Sequence, residues 1–293
     1  MNTGDTTFIL FCSTLVFFMT PGLAFFYGGL VRRKNVLNTM MSSLFIMGLS
    51  SALWILVGYS LSFSGDHGHI IGDFTNAFLR GIGMNDLSQY SETIPALVFV
   101  GFQMMFAIIT PALITGSVAG RMRFKALFIF ILLWLFVVYY PLAHMVWGKG
   151  GFLGEVLGSV DFAGGNVVHI SSGVSGLVLS LLLGSRRGYK KQAYATHNIP
   201  FIILGATILW FGWFGFNAGS ALAANGLAAH AFMTTGTSAA FALLSWMAVD
   251  VIVTGKPTVV GASTGAVLGL VAITPGAGFV PLWASIILSL IHI

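Results

Sequence analysis

The chain has 293 residues, 57% of them hydrophobic and only 7% charged, with a formal net charge of +5 and a mean hydropathy of +0.93. Soluble domains carry about 25% charged residues, so this composition excludes a soluble enzyme, a disordered chain and a nucleic-acid binder. A lone cysteine, Cys12, excludes an internal disulfide and a Cys-rich metal site, and 37 glycines favour close-packed membrane helices.

A helix needs about 20 apolar residues to cross the hydrocarbon core. Eight runs meet that length, at 8–31, 39–63, 95–119, 126–147, 162–184, 199–221, 230–252 and 258–280. Thr20-Pro21-Gly22 interrupts the first run, and no basic segment precedes it, so it reads as a retained span and not a cleaved signal. The longest polar segment, 64–93, joins the second and third runs and is rich in Gly, Asp and Asn. A ninth run starts near Pro281 and reaches only Ile293, too short to span. The expectation is a single membrane domain over 1–293 whose C-terminal part is missing.

Orientation follows from the basic residues. Arg32, Arg33 and Lys34 lie in the first loop, Arg121, Arg123 and Lys125 in the third, and Arg186, Arg187, Lys190 and Lys191 in the fifth. Lys256 lies in the seventh, and only Arg80 and Lys149 fall in even loops. Odd loops are therefore expected in the cytoplasm and the N-terminus outside, as a multi-pass protein of the cell membrane. Asp66, Asp73, Asp86, Glu92 and Glu155 fall in the outer loops. The basic excess is a topology signal and does not point to a nucleic-acid partner.

Ionisable residues at membrane depth are rare and mark function by default. Asp161 opens the fifth run and His169 follows eight residues on. That spacing puts His169 about 12 Å deeper and about 80° around the helix. The two do not touch in this reading, and Asp161 caps the helix through its first free N–H groups. Spacing alone slightly favours a structural imidazole bonded to a neighbouring helix. Gly164-Gly165 and Ser171-Ser172-Gly173 shift the reading toward a narrow path for a small polar permeant.

His144 and Trp147 are i, i+3 at the outer end of the fourth run, where a Trp is commonly an interfacial anchor. Phe102 and Phe106 share a face at i, i+4, and Phe216 and Ser220 repeat that spacing. Such stripes are usually packing contacts. Here the topology gathers Trp147, Asp161, Phe102 and Ser220 in the outer half, with Phe106, Phe216 and His169 progressively deeper. His67 and His69 form an H-x-H in the outer loop, a weak metal signal without a third carboxylate or thiolate nearby, and they read as exposed loop histidines. His197 and His230 sit near run ends, His292 sits at the chain end, and Asp250 is expected to pair with a base or cap a backbone group. No nucleophile elbow, P-loop or zinc-helix motif occurs, so an enzyme is not expected.

Four stretches resemble the ammonium transporter (Amt/Mep/Rh) family, and its Amt branch in particular. They are Met19-Thr20-Pro21-Gly22-Leu23-Ala24-Phe25-Phe26-Tyr27-Gly28-Gly29 with Val31-Arg32-Arg33-Lys34-Asn35; Ala143-His144-Met145-Val146-Trp147-Gly148; Asp161-Phe162-Ala163-Gly164-Gly165-Asn166-Val167-Val168-His169; and Gly212-Trp213-Phe214-Gly215-Phe216-Asn217-Ala218-Gly219-Ser220. The resemblance implies an all-α polytopic bundle of two inverted five-helix repeats, the second incomplete here, assembled as a homotrimer with one pore per protomer. It implies an outer ammonium site at Trp147, Phe106 and Ser220, with Phe102 at its rim. Phe106 and Phe216 match the phenyl gate, His169 the first of two pore histidines, and Asp161 the acidic support of the site. No cofactor or metal is implied. The second pore histidine and the tail that serves regulation by a PII-type protein fall outside this sequence, and His292 has neither the motif nor the position to substitute. Two alternatives stay open: the membrane sensor module of an ammonium-responsive signalling protein, and an Rh-like channel for neutral gas.

Overall fold

A computed structural model describes residues 1–186, 188–191 and 194–291; Arg187 and His292 lie outside the described residues. Eight long apolar helices run through it. They are α1 (Thr3–Leu30), α2 (Arg33–Phe63), α3 (Ala96–Val118), α4 (Phe124–Val156), α5 (Gly165–Leu183), α6 (Ile199–Gly219), α7 (Gly226–Thr254) and α8 (Val259–Gly276). The shorter apolar helix α9 (Leu282–Ile291) follows. The described residues contain no strand, and the architecture is the expected all-α membrane bundle, with eight helices long and apolar enough to span and one shorter apolar helix.

The ends of these helices have local causes. α1 begins five residues before its apolar run because Asn2 caps it, accepting the Asp5 N–H at 3.1 Å. Asp5 is buried there and accepts the Ala224 N–H at 2.8 Å, which explains a carboxylate in an apolar helix. α1 runs unbroken through Pro21, which sequence reading took as an interruption. Packing against neighbouring helices holds such a proline in a membrane helix. α7 is capped by Asn225 and α8 by Thr258, whose N–H and hydroxyl both donate to the Asp250 carboxylate. Asp250 thus caps backbone, one of its two expected roles.

Among the described residues four turns widen to π-helix, at Trp54–Gly58 in α2, Leu135–Tyr139 and Phe152–Val156 in α4 and Gly165–Ile170 at the start of α5. α4 is interrupted at Gly148, whose backbone is extended. A search for 3.6-residue periodicity cannot register a single widened turn, so these features were invisible in the sequence.

The most extensive packing joins α1 to α6, followed by α7 against α8. At the α1–α6 crossing a Cβ on Gly205 would strike the Phe26 backbone nitrogen and lie 2.6 Å from the Gly22 carbonyl oxygen. The missing side chain is what lets the two backbones meet. α3 is the most enclosed helix: 72% of its most apolar window is buried, against 17% in α7.

The loops sort to two ends. Arg32 and Arg186 both lie against Tyr194, and Arg121 donates to the Gly184 carbonyl, so the loops after α1, α3 and α5 gather at one basic end. At the opposite end the N–H of Asn2 meets Thr93, that of Phe152 meets His69, and that of Phe162 meets Pro275. The N-terminus therefore lies at the end away from the basic loops.

Candidate functional site: an aromatic path to a buried imidazole

Asp161 organises the start of α5. Its Oδ1 accepts the N–H groups of Gly164 and Gly165 at 2.8 and 2.6 Å, and its Oδ2 those of Asn166 and Val167 at 2.7 and 3.3 Å. One carboxylate thus satisfies four backbone donors that would otherwise lie unpaired at membrane depth. Gly164 allows the turn because its φ of 115° is reserved for residues without a Cβ. The N–H groups of Val168 and His169 then both reach back to the Gly164 carbonyl, which makes the widened first turn that aims His169. Widened turns of this kind recur at functional sites.

The backbone carbonyl of Asp161 also accepts the Trp147 indole N–H at 2.9 Å. That bond ties the end of α4 to the start of α5 and fixes the plane of the indole. Trp147 meets the Phe106 ring edge-on, with centroids 5.9 Å apart and planes at 88°. Phe102 contacts Phe106 at 5.0 Å. Phe106 and Phe216 lie 4.3 Å apart at 34°, and both are fully buried. Past them, His169 stacks on Phe216 at 6.0 Å and on Trp213 at 5.3 Å. Phe102, Trp147, Phe106, Phe216 and His169 thus form one continuous run of ring contacts, with Asp161 anchoring its Trp147 end.

Two cavities flank the ring pair. One of about 160 Å³ at the N-terminal end is lined by Trp147, Phe102, Phe106 and Ser220, together with Gln103 and Tyr90. Ser220 donates its hydroxyl hydrogen to the Phe216 carbonyl at 2.9 Å, which leaves its oxygen free to accept. The Gln103 Oε1 is buried and lacks a hydrogen-bond partner. The second cavity, about 450 Å³, is lined by His169, Ser172 and Gly173. The His169 Nε2 is buried and also has no partner.

Sequence reasoning missed Trp213, although it lies within a quoted stretch. Its indole N–H donates to the Thr274 hydroxyl at 2.8 Å, and its ring flanks His169. Only its position in a conspicuous Gly-Trp-Phe-Gly-Phe run could have pointed to it. Gln103, between Phe102 and Phe106 in number, shares neither residue's spacing and gave no signal.

His144 takes a different role from Trp147. It is fully buried, with Nε2 3.0 Å from Asp66 Oδ1 and Nδ1 3.2 Å from the Ser62 carbonyl. Asp66 in turn accepts the His69 N–H at 2.9 Å. This cluster pins the polar 64–73 segment to the end of α4. Hydrogen bonding to His144, more than any other cause, holds the Asp66 carboxyl below its ordinary range. Among the described residues, no group of three His, Cys, Asp or Glu is arranged to hold a metal ion. His230 bonds the Val280 carbonyl at 2.8 Å, and the N–H of His197 meets the Gly29 carbonyl at 2.9 Å. Both therefore serve helix ends.

The fold defines a polytopic helical membrane protein with a buried aromatic cluster between two cavities. The profile of the Ammonium Transporter Family matches residues 7–292, and the chain belongs to that family. An ammonium transporter of Bacillus subtilis is 52% identical over 291 residues, covering 99% of this chain and 70% of that protein. One of Mycobacterium bovis is 47% identical over 298 residues, covering 94% and 62%. Among solved structures, Candida albicans Mep2 superposes with a TM-score of 0.92 at 36% identity, over all of this chain and 65% of that one. A structure described as a sensor Amt protein gives 0.89 at 27% identity, over 98% and 72%. The chain thus spans about two thirds of the length of these relatives.

Proposed function

We propose that this chain forms the entry half of an ammonium pathway. Ammonium is held in the cavity beside Trp147, loses its proton near the ring pair, and passes Phe106 and Phe216 as ammonia toward His169. The observation that carries this reading is the order along one line: an indole and a hydroxyl oxygen, two rings 4.3 Å apart, then a buried ring nitrogen with no partner.

The energetics favour a neutral permeant. An indole face attracts a small cation by about 0.5–1 kcal/mol when exposed and about 2 kcal/mol or more when desolvated. Ser220 adds an acceptor for an ammonium N–H. Carrying a full charge between apolar rings is opposed by a cost of order 10 kcal/mol in some estimates. Holding the ion is therefore affordable and moving it intact is not. Deprotonation yields ammonia and a proton; ammonia is passed on to the imidazole, and net charge transport requires the proton to travel separately through the histidine system. Potassium has no proton to surrender and is rejected.

The family and the charge pattern support placing the basic end in the cytoplasm of a cell-membrane protein. The exposed apolar side chains of α7, among them Phe232, Leu244 and Ile252, fit a helix that meets lipid or a second subunit, and a homotrimer is part of the same proposal. A PII-type partner at the basic end is part of the same proposal. The sensor Amt protein among the structural relatives supports a second reading, in which the bundle reports ammonium to a signalling module.

The test is electrophysiology of this segment within a full-length transporter. His169→Ala is expected to lower ammonium current at least tenfold and to weaken rejection of potassium. Undiminished current with unchanged selectivity would overturn the role of the imidazole.

A further inference from the structure

We propose that the basic end of the bundle carries a binding site for a phosphate mono- or diester, built where the loops after α1, α3 and α5 meet. A cavity of about 250 Å³ lies there, lined by Arg32, Lys34, Arg121 and Arg186 with Asn35 and Tyr194. Arg32 and Arg186 both pack on the Tyr194 ring, their guanidinium carbons 4.8 and 5.1 Å from its centroid. Three separate loops thus bring four cationic side chains to one concavity.

Nothing in the described chain balances this charge. The ion pairs among the described residues join His69 and His144 to Asp66, at the other end, and no described Lys or Arg pairs with a carboxylate. Asp250 is committed to Thr258. The topology rule explains why basic residues sit at this end. It does not require them to converge on one cavity.

Arg121 is partly accounted for. It donates to the carbonyls of Ser117, Ser180 and Gly184 and to the Ser180 hydroxyl, closing the C-terminal turns of α3 and α5. Its Nε is nevertheless buried without a partner, and so is the Nε of Arg186. Buried guanidinium N–H groups lacking an acceptor are costly. Burial, and then the neighbouring Arg186, push the Arg121 guanidinium below its ordinary range, as two close and uncompensated cations require. A phosphate group answers both deficits. It brings negative charge and acceptor oxygens whose spacing matches the planar donor forks of arginine. A lipid headgroup and a dissolved phosphate ester offer this same chemistry.

The experiment is a melting-temperature titration of the full chain in phosphatidylcholine–detergent micelles. Phosphatidylglycerol and inorganic phosphate are titrated separately, with sodium chloride at matched ionic strength as the control. A saturable rise above the chloride control is expected with at least one of them. Its half-saturating concentration is expected to climb about tenfold or more in Arg32→Gln/Arg186→Gln, and about two- to threefold in Lys34→Gln. A response to the lipid alone assigns the site to a headgroup, to phosphate alone a soluble ester, and to both the phosphate group itself. Lys34 is exposed, so its variant keeps the fold and decides the matter if the double variant does not. No rise above chloride, or equal half-saturation in wild type and variants, overturns the site. The cavity beside Trp147 lies at the other end, and its proposed role is untouched by either result.

Discussion

Asp161 serves two elements at once: its carboxylate closes α5 and its carbonyl holds Trp147. Asp161→Ala is expected to destabilise the bundle by about 2 kcal/mol, the upper range for a lost cap. Asp161→Asn keeps one acceptor oxygen and should fall between the two, as measured by unfolding in micelles. If Asn and Ala cost the same, the charge and not the number of acceptors is what matters. Asp66 makes a second, pH-dependent prediction. Its carboxyl is held below the ordinary value of about 3.9, chiefly by the hydrogen bond to His144. Its stabilising effect is therefore fully present above that ordinary value and is lost as the pH falls through the lowered one. Hydrogen exchange in 64–73 is expected to accelerate only below about pH 4, and Asp66→Asn should remove that step.

At the scale of elements, the α1–α6 crossing depends on Gly205. Even Gly205→Ala places a methyl group against the Phe26 nitrogen and the Gly22 carbonyl, which are backbone and cannot rotate away. Overpacking of this kind costs about 1–3 kcal/mol, and a lowered melting temperature would register it. Gly48, where an added Cβ meets nothing within 4 Å, is the control and should tolerate alanine. The start of α5 depends on a different device, the widened turn after Gly164. Gly164→Ala is strained by its φ of 115° and should misplace His169, lowering transport in a full-length transporter more than it lowers stability.

For the molecule as a whole, the segregation of charge makes orientation testable. Cys12 is buried, so Cys12→Ser gives a background without cysteine. A cysteine placed at Asn76 should react with an impermeant thiol reagent from outside intact cells. One placed at Arg123 should react only after the cytoplasmic side is opened. The reverse pattern would invert the proposed direction of recruitment.

Length and hydropathy are local properties, and they sufficed for eight spans, the sorting of basic loops to one end, and the short apolar run that is α9. The cap made by Asp161 was legible for the same reason, since a capping carboxylate acts within a few residues of itself. The outer grouping of Trp147, Phe102 and Ser220 could be listed by depth, but depth does not fix which way a helix face turns. Only tertiary packing set the rotation of α3 and α6 that stacks Phe106 on Phe216, and only it brought Trp213, Gln103 and Thr274 into the same path. It also separated His144 from Trp147, three residues apart on one helix, by giving the imidazole a carboxylate partner 78 positions away in sequence. Burial length is written in the chain, whereas the meeting of side chains depends on how close glycines let the helices come and at what angle they cross.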